Sequence, residues 1–158
     1  MSMPLKERYF EDYRAGEHFE FGHYPVTETE IIDFARRYDA QPFHVDPSAA
    51  RQSLYQGLIA SGWHTGSIMM NLLVEHFISP LCSMGSPGLD EVHWPRPVRP
   101  GDILSVRLTV IDTRRSASKP DRGLLRLRQE CVNQHGEIVM SINATVFCRC
   151  RSVASTDA

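Results

Sequence analysis

The apolar residues change their period partway along the chain. Before Pro80 they recur at helical intervals, and after Gly88 they alternate. Ile31, Phe34, Ala35 and Tyr38 form a stripe at three- and four-residue spacing, which predicts an amphipathic helix. In front of it, Thr27-Glu28-Thr29-Glu30 has capping-box spacing, with Val26 and Ile31 at the staple positions. A helix is therefore expected from Thr27 to about Tyr38, delivering Asp39 at its end. Trp63, Gly66, Met70, Leu73 and Phe77 trace a second stripe, predicting a mostly buried helix from Ser61 to a stop at Pro80. Between the two, Pro47–Gln52 suits a short helix with Asp46 as its N-cap and Pro47 in first position.

The alternating half predicts strands. Leu89 to Val98 is one, followed by a turn over Pro97–Asp102. Ile103 to Thr113 places Leu104, Val106, Leu108 and Val110 on one face. After a polar loop over Arg114–Arg122, the segments Leu125–Asn133 and Glu137–Arg149 read as a hairpin around Gln134-His135-Gly136. His18-Phe19-Glu20-Phe21 adds a short strand near the N-terminus. Helices followed by a run of strands define an α+β class, here an antiparallel sheet with one buried helix against its concave face. The 158 residues fit a single domain over 1–158, with its core from about 9 to 150 and a disordered tail expected over 152–158.

Composition narrows the function. Seventeen basic and 19 acidic residues give a net charge of -2, with no basic excess to hold nucleic acid. No apolar run is long enough for a membrane helix, and Met1 to Arg8 contain no apolar signal core, so a cytoplasmic protein is expected. Cys82, Cys131, Cys148 and Cys150 form no Cys-x-x-Cys pair and read as small buried apolar residues, not as a metal or disulfide site. No metal-ligand signature is present, and no metal or cofactor is expected.

The chemistry concentrates in Asp39-Ala-Gln-Pro-Phe-His-Val-Asp46. Asp39 and His44 stand five positions apart across Pro42. Proline disfavours helical geometry at Gln41, so a loop presenting both side chains is expected. A carboxylate and an imidazole facing one cleft can hold a water and move its protons near neutral pH. The same residues also fit a helix-end acid and a hydrogen-bonded loop histidine. Asp46 reads as a cap.

This stretch resembles the signature of the MaoC-like acyl dehydratases and (R)-specific enoyl-CoA hydratases: Asp, then Asn-Pro, then x-His-x-Asp. The likeness continues through Gly57-Leu58-Ile59-Ala60-Ser61-Gly62 and Glu91–Asp102, covering about Tyr9 to Cys150. Gln41 stands where the family has asparagine, and Ser61 where it has histidine. The resemblance implies a hot-dog fold, in which an antiparallel sheet wraps around a central buried helix. It implies reversible hydration of an enoyl thioester in fatty acid metabolism, with coenzyme A as substrate carrier, no cofactor, and a homodimer or dimer of dimers. It assigns catalysis to Asp39 and His44, and stabilisation of the thioester oxygen to Gly62 at a helix start, where N–H groups are free. The other reading of Gly62 is tight packing of that helix start. Gln41, Ser61 and His64 are the substrate-binding candidates, although His64 also reads as a packed helix residue. Arg96, Arg99 and Lys119 are candidates for the carrier's phosphates, against a solvated-turn reading. Two other functions fit the fold: an acyl-CoA thioesterase, and a non-catalytic acyl-CoA-binding subunit.

Overall fold

A computed structural model describes residues 2–152; most of the tail expected from Ser152 lies outside the described residues. Two single-turn 3-10 helices, Leu5–Glu7 and Phe10–Asp12, precede strand β1, His18–Pro25. Then come helices α1 (Glu28–Tyr38), α2 (Pro42–Val45), α3 (Pro47–Gln52) and α4 (Gly62–His76). Strands β2 (Gly88–His93), β3 (Ile103–Arg115), β4 (Arg122–Val132) and β5 (Ile138–Arg149) follow.

The five strands form one antiparallel sheet in the order β1-β3-β4-β5-β2. The meander β3-β4-β5 is its centre, and the two strands that come first in the chain are its edges. Leu104, Val106, Leu108 and Val110 are fully buried, so the alternation in β3 points its apolar face into the core as expected. Gly136, at φ +73°, turns the β4–β5 hairpin in the left-handed region where glycine has no Cβ penalty. Helix α4 packs against β1, β3 and β5 and buries Ile68, Met69, Leu72 and Leu73. This is the expected α+β arrangement of a sheet around a central helix.

Several expectations are corrected. Segment 39–46 is not an open loop: Pro42–Val45 is a single helical turn, with extended Gln41 before it and Pro42 in the first position. Proline restricts the residue before it, but it suits the first turn itself, where its missing N–H would be unpaired anyway. Helix α4 ends at His76 and not at Pro80, because the Phe77 and Ile78 N–H groups both close on the Leu73 carbonyl. Its buried face is also not the expected stripe. Trp63 is 64% exposed and Met70 52%, while His64 and Thr65 are buried. The helix is apolar around most of its circumference, so periodicity alone did not select the face that meets this sheet. Strand β2 stops at His93, because Pro95 and Pro97 cannot donate to a ladder. Strand β1 runs on to Pro25 through an irregularity between Phe21 and Tyr24.

Candidate active site

Three elements converge on Asp39. It is the C-cap of α1, with its own N–H closing on Ala35. Its Oδ1 accepts from Gln41 Nε2 at 2.7 Å, and its Oδ2 accepts from Ser61 Oγ at 2.7 Å. His44, in α2, brings Nε2 to 3.3 Å from Asp39 Oδ2. The His44 ring is 5% exposed, and its Nδ1–H donates to the Ile59 carbonyl at 2.7 Å. A carbonyl can only accept, so that bond fixes the tautomer and leaves Nε2 as the nitrogen facing Asp39. Ile59 in turn donates its N–H to the Phe43 carbonyl, clamping residues 43–44 to residue 59.

Burial of Asp39 pushes its pKa up, but the hydrogen bonds from Ser61 and Gln41 and the neighbouring His44 hold it below the ordinary carboxylate range. Each of these partners favours the charged form. Asp39 is therefore ionised at neutral pH.

Gln41 and Ser61, expected to touch substrate, both hold Asp39. Ser61 is also the N-cap of α4, accepting from the Trp63 N–H at 3.3 Å. The His64 and Thr65 N–H groups bond the Ser61 carbonyl. Of the first four N–H groups of α4, Gly62 alone has no hydrogen-bond partner among the described residues. Asp39, His44 and Gly62 line one cavity of about 520 Å³, walled by Phe43, Tyr55, Trp63 and Trp94. A Cβ on Gly62 would lie 2.7 Å from Trp94 Cε2, so the space a side chain at 62 would need is filled by an indole.

His64 does not reach this cavity, which corrects its assignment to substrate. It is 2% exposed, stacked on Phe34 at 4.7 Å, and lines a separate cavity with Tyr24 and Glu30. Glu30 does not reach back to its helix cap as a capping box requires. It accepts from the Tyr24 hydroxyl and approaches His64 Nε2 to 3.3 Å. Thr27 caps α1 alone, accepting from the Glu30 N–H at 3.2 Å. Asp46 is the cap it was read as, accepting from Ser48 and Ala49. Of the three proposed phosphate contacts, Arg96 lines the Asp39 cavity. Arg99 instead donates to the Tyr55 carbonyl at 2.6 Å, propping the loop before Gly57, and Lys119 lies in the β3–β4 connection. All four cysteines are buried free thiols. Among the described residues, no helix is long and apolar enough to cross a membrane.

Two contributors had no signal in the sequence. Ile59 acts through its carbonyl, which any residue type supplies. Trp94 sat inside a segment read as strand.

Residues 11–125 match the family model of the MaoC like domain. The chain belongs to the MaoC-like dehydratase family. Protein MaoC of Klebsiella aerogenes is 29% identical over 103 residues, covering 65% of this chain, which spans 30% of that protein's length. The crystal structure of a MaoC-like dehydratase from Rhodospirillum rubrum superimposes with a TM-score of 0.83 at 40% identity, covering 92% of this chain and 99% of that one. The R-hydratase PhaJ1 of Pseudomonas aeruginosa, at 21% identity, shares the fold with a TM-score of 0.71 over 95% of this chain and 94% of its own.

Proposed function

We propose that the chain adds and removes water across the 2,3-double bond of an enoyl thioester carried by coenzyme A, with R stereochemistry. The observation that carries this reading is the Asp39–His44 pair, 3.3 Å apart, in a cavity also lined by Gly62, whose N–H has no partner among the described residues. A water held between Asp39 Oδ2 and His44 Nε2 is oriented and activated by Asp39, while His44 exchanges its proton. The water oxygen bonds to C3, and the C2–C3 π pair moves toward the thioester oxygen. The Gly62 N–H donates a hydrogen bond to that oxygen as its charge develops. The proton taken from water then returns at C2, closing the balance. No oxidation state of the enzyme changes, so no cofactor is required.

The proposed assembly is a homodimer. The edge strand β2 exposes Leu89, and the outward face of α4 exposes Trp63, Met70 and Val74. A second copy pairing along β2 would extend the sheet and cover that face.

The test is the purified protein with crotonyl-CoA and longer or branched enoyl-CoAs, following the conjugated thioester absorbance and free thiol together. Loss of absorbance without thiol, abolished in Asp39→Ala, is the expected result. Thiol release would replace this reading with a thioesterase, and tight acyl-CoA binding without turnover would replace it with a binding subunit.

A further inference from the structure

Trp63 and Trp94 are the two tryptophans of the chain, and both line the Asp39/His44 cavity. Their rings meet edge to face at 5.4 Å. Trp94 follows directly on the last residue of β2, whereas Gly62 opens α4, so their contact joins the sheet edge to the helix start. That contact has two parts. Trp94 Nε1 donates to the Gly62 carbonyl at 3.0 Å. The indole also occupies the volume that a side chain at 62 would need: an added Cβ would sit 2.7 Å from Cε2, 2.8 Å from Nε1 and 3.1 Å from Cδ2. Real Cβ atoms do not approach aromatic atoms so closely, so a side chain at 62 would force the indole, 41% exposed, to swing outward and give up its hydrogen bond to the Gly62 carbonyl.

We propose that Trp94 is the positioning residue of the Gly62 N–H, gripping residue 62 at its carbonyl and Cα so that this one free donor stays aimed into the cavity. Glycine is then required at 62 by Trp94, not by the approach of substrate. The inference rests on the hydration reading for its kinetic part only. Without the Trp94 contact the first turn would be held from the Ser61 side alone, and the N–H would range more widely about the line of the developing charge. Oxyanion donors act because their direction is set before the reaction. The consequence falls on kcat rather than on KM, since the donor matters most where charge is greatest.

The experiment compares wild type with Trp94→Phe, Trp94→Ala, Gly62→Ala and the double variant Gly62→Ala/Trp94→Ala. Trp94→Phe keeps a ring and removes the N–H, and is expected to lower kcat roughly tenfold with KM nearly unchanged, the scale of losing one hydrogen bond. Gly62→Ala should lose about a hundredfold or more, the scale of a displaced oxyanion donor. The double variant should recover to the level of Trp94→Ala alone, because removing the indole makes room for the methyl group. Losses that multiply in the double variant, or wild-type kcat in Trp94→Phe, would overturn the proposal. Melting temperatures of the same proteins test its packing part independently of turnover. Gly62→Ala should melt below wild type, and the same substitution should cost nothing in the Trp94→Ala background. An equal cost in both backgrounds would refute the packing claim. Wild-type protein without turnover on any enoyl-CoA would instead sink the hydration reading and leave the melting comparison to decide the contact.

Discussion

Among the described residues, two buried histidines face half-buried carboxylates at the same separation. Asp39 Oδ2 to His44 Nε2 and Glu30 Oε1 to His64 Nε2 are both 3.3 Å, and both rings are almost wholly enclosed. Everything around them differs. His44 donates from Nδ1 to a carbonyl, so its other nitrogen has a defined role. Among the described residues neither nitrogen of His64 has a hydrogen-bond partner, and its ring stacks on Phe34. Asp39 accepts from two neutral donors that keep it ionised, beside a free N–H and a walled cavity. Glu30 accepts from Tyr24, whose pKa is pushed up to about 12, chiefly by that hydrogen bond, so the phenol remains a donor. Distance alone does not make a reactive pair. The anchored tautomer and the adjoining electrophile site separate the first pair from the second.

The comparison breaks most sharply if the reactive pair is removed. Asp39→Ala or His44→Ala should cut enoyl-CoA hydration by about 10²–10⁴-fold, the range for a positioned acid–base group. Circular dichroism should stay close to wild type in both. Turnover close to wild type in either variant would remove the distinction between the two pairs.

A smaller effect sharpens it. Asp39 acts as a carboxylate and is held below the ordinary range, so the acid limb of kcat/KM should lie below that of an unperturbed aspartate. Ser61→Ala and Gln41→Leu each remove one donor and should move that limb upward, most in the double variant. Stability follows the same sign. A carboxyl with a depressed folded pKa contributes stability above its unfolded pKa, and loses it as pH falls through the folded value. Melting temperature against pH should therefore drop at a higher pH in Ser61→Ala than in wild type. Superimposable profiles would show that these donors do not set the charge of Asp39.

The smallest effect belongs to the second pair. His64→Phe replaces two unbonded nitrogens with a ring that can still stack on Phe34. It should leave turnover within about twofold and stability within about 1 kcal/mol, since an apolar group of like shape replaces an unsatisfied one. A loss of turnover comparable to that of His44→Ala would give the second pair a chemical role.

Most of the fold was legible because its signals are local. Alternation in β3, the stripe Ile31-Phe34-Ala35-Tyr38 and the caps at Thr27 and Asp46 each describe a residue and its immediate neighbours. The site was legible to the extent that it is contiguous, and Asp39, Gln41, His44, Ser61 and Gly62 were all singled out. What each side chain touches was not. The hydrogen bonds from Gln41 and Ser61 to Asp39 depend on how α1, α2 and α4 meet, which no local pattern states. His64 was misplaced for a related reason: a helix apolar around most of its circumference does not declare which face its sheet will cover. Trp94 and the Ile59 carbonyl were invisible, the one because its partner is 32 residues away, the other because backbone atoms carry no residue signature.

The strand order has a consequence for how the molecule opens. The central meander β3-β4-β5 joins strands adjacent in the chain, while every residue of the reactive pair lies on the excursion between the edge strands β1 and β2. Local pairings form readily and are the last to be lost, whereas the excursion depends on contacts made across long stretches of chain. Under native conditions, amide protons of residues 39–61 should exchange with solvent through openings that leave β4 protected. The chemistry would then sit in the region that loosens first, and a ligand gripping Asp39, His44 and Gly62 together would slow exchange there more than anywhere else in the chain.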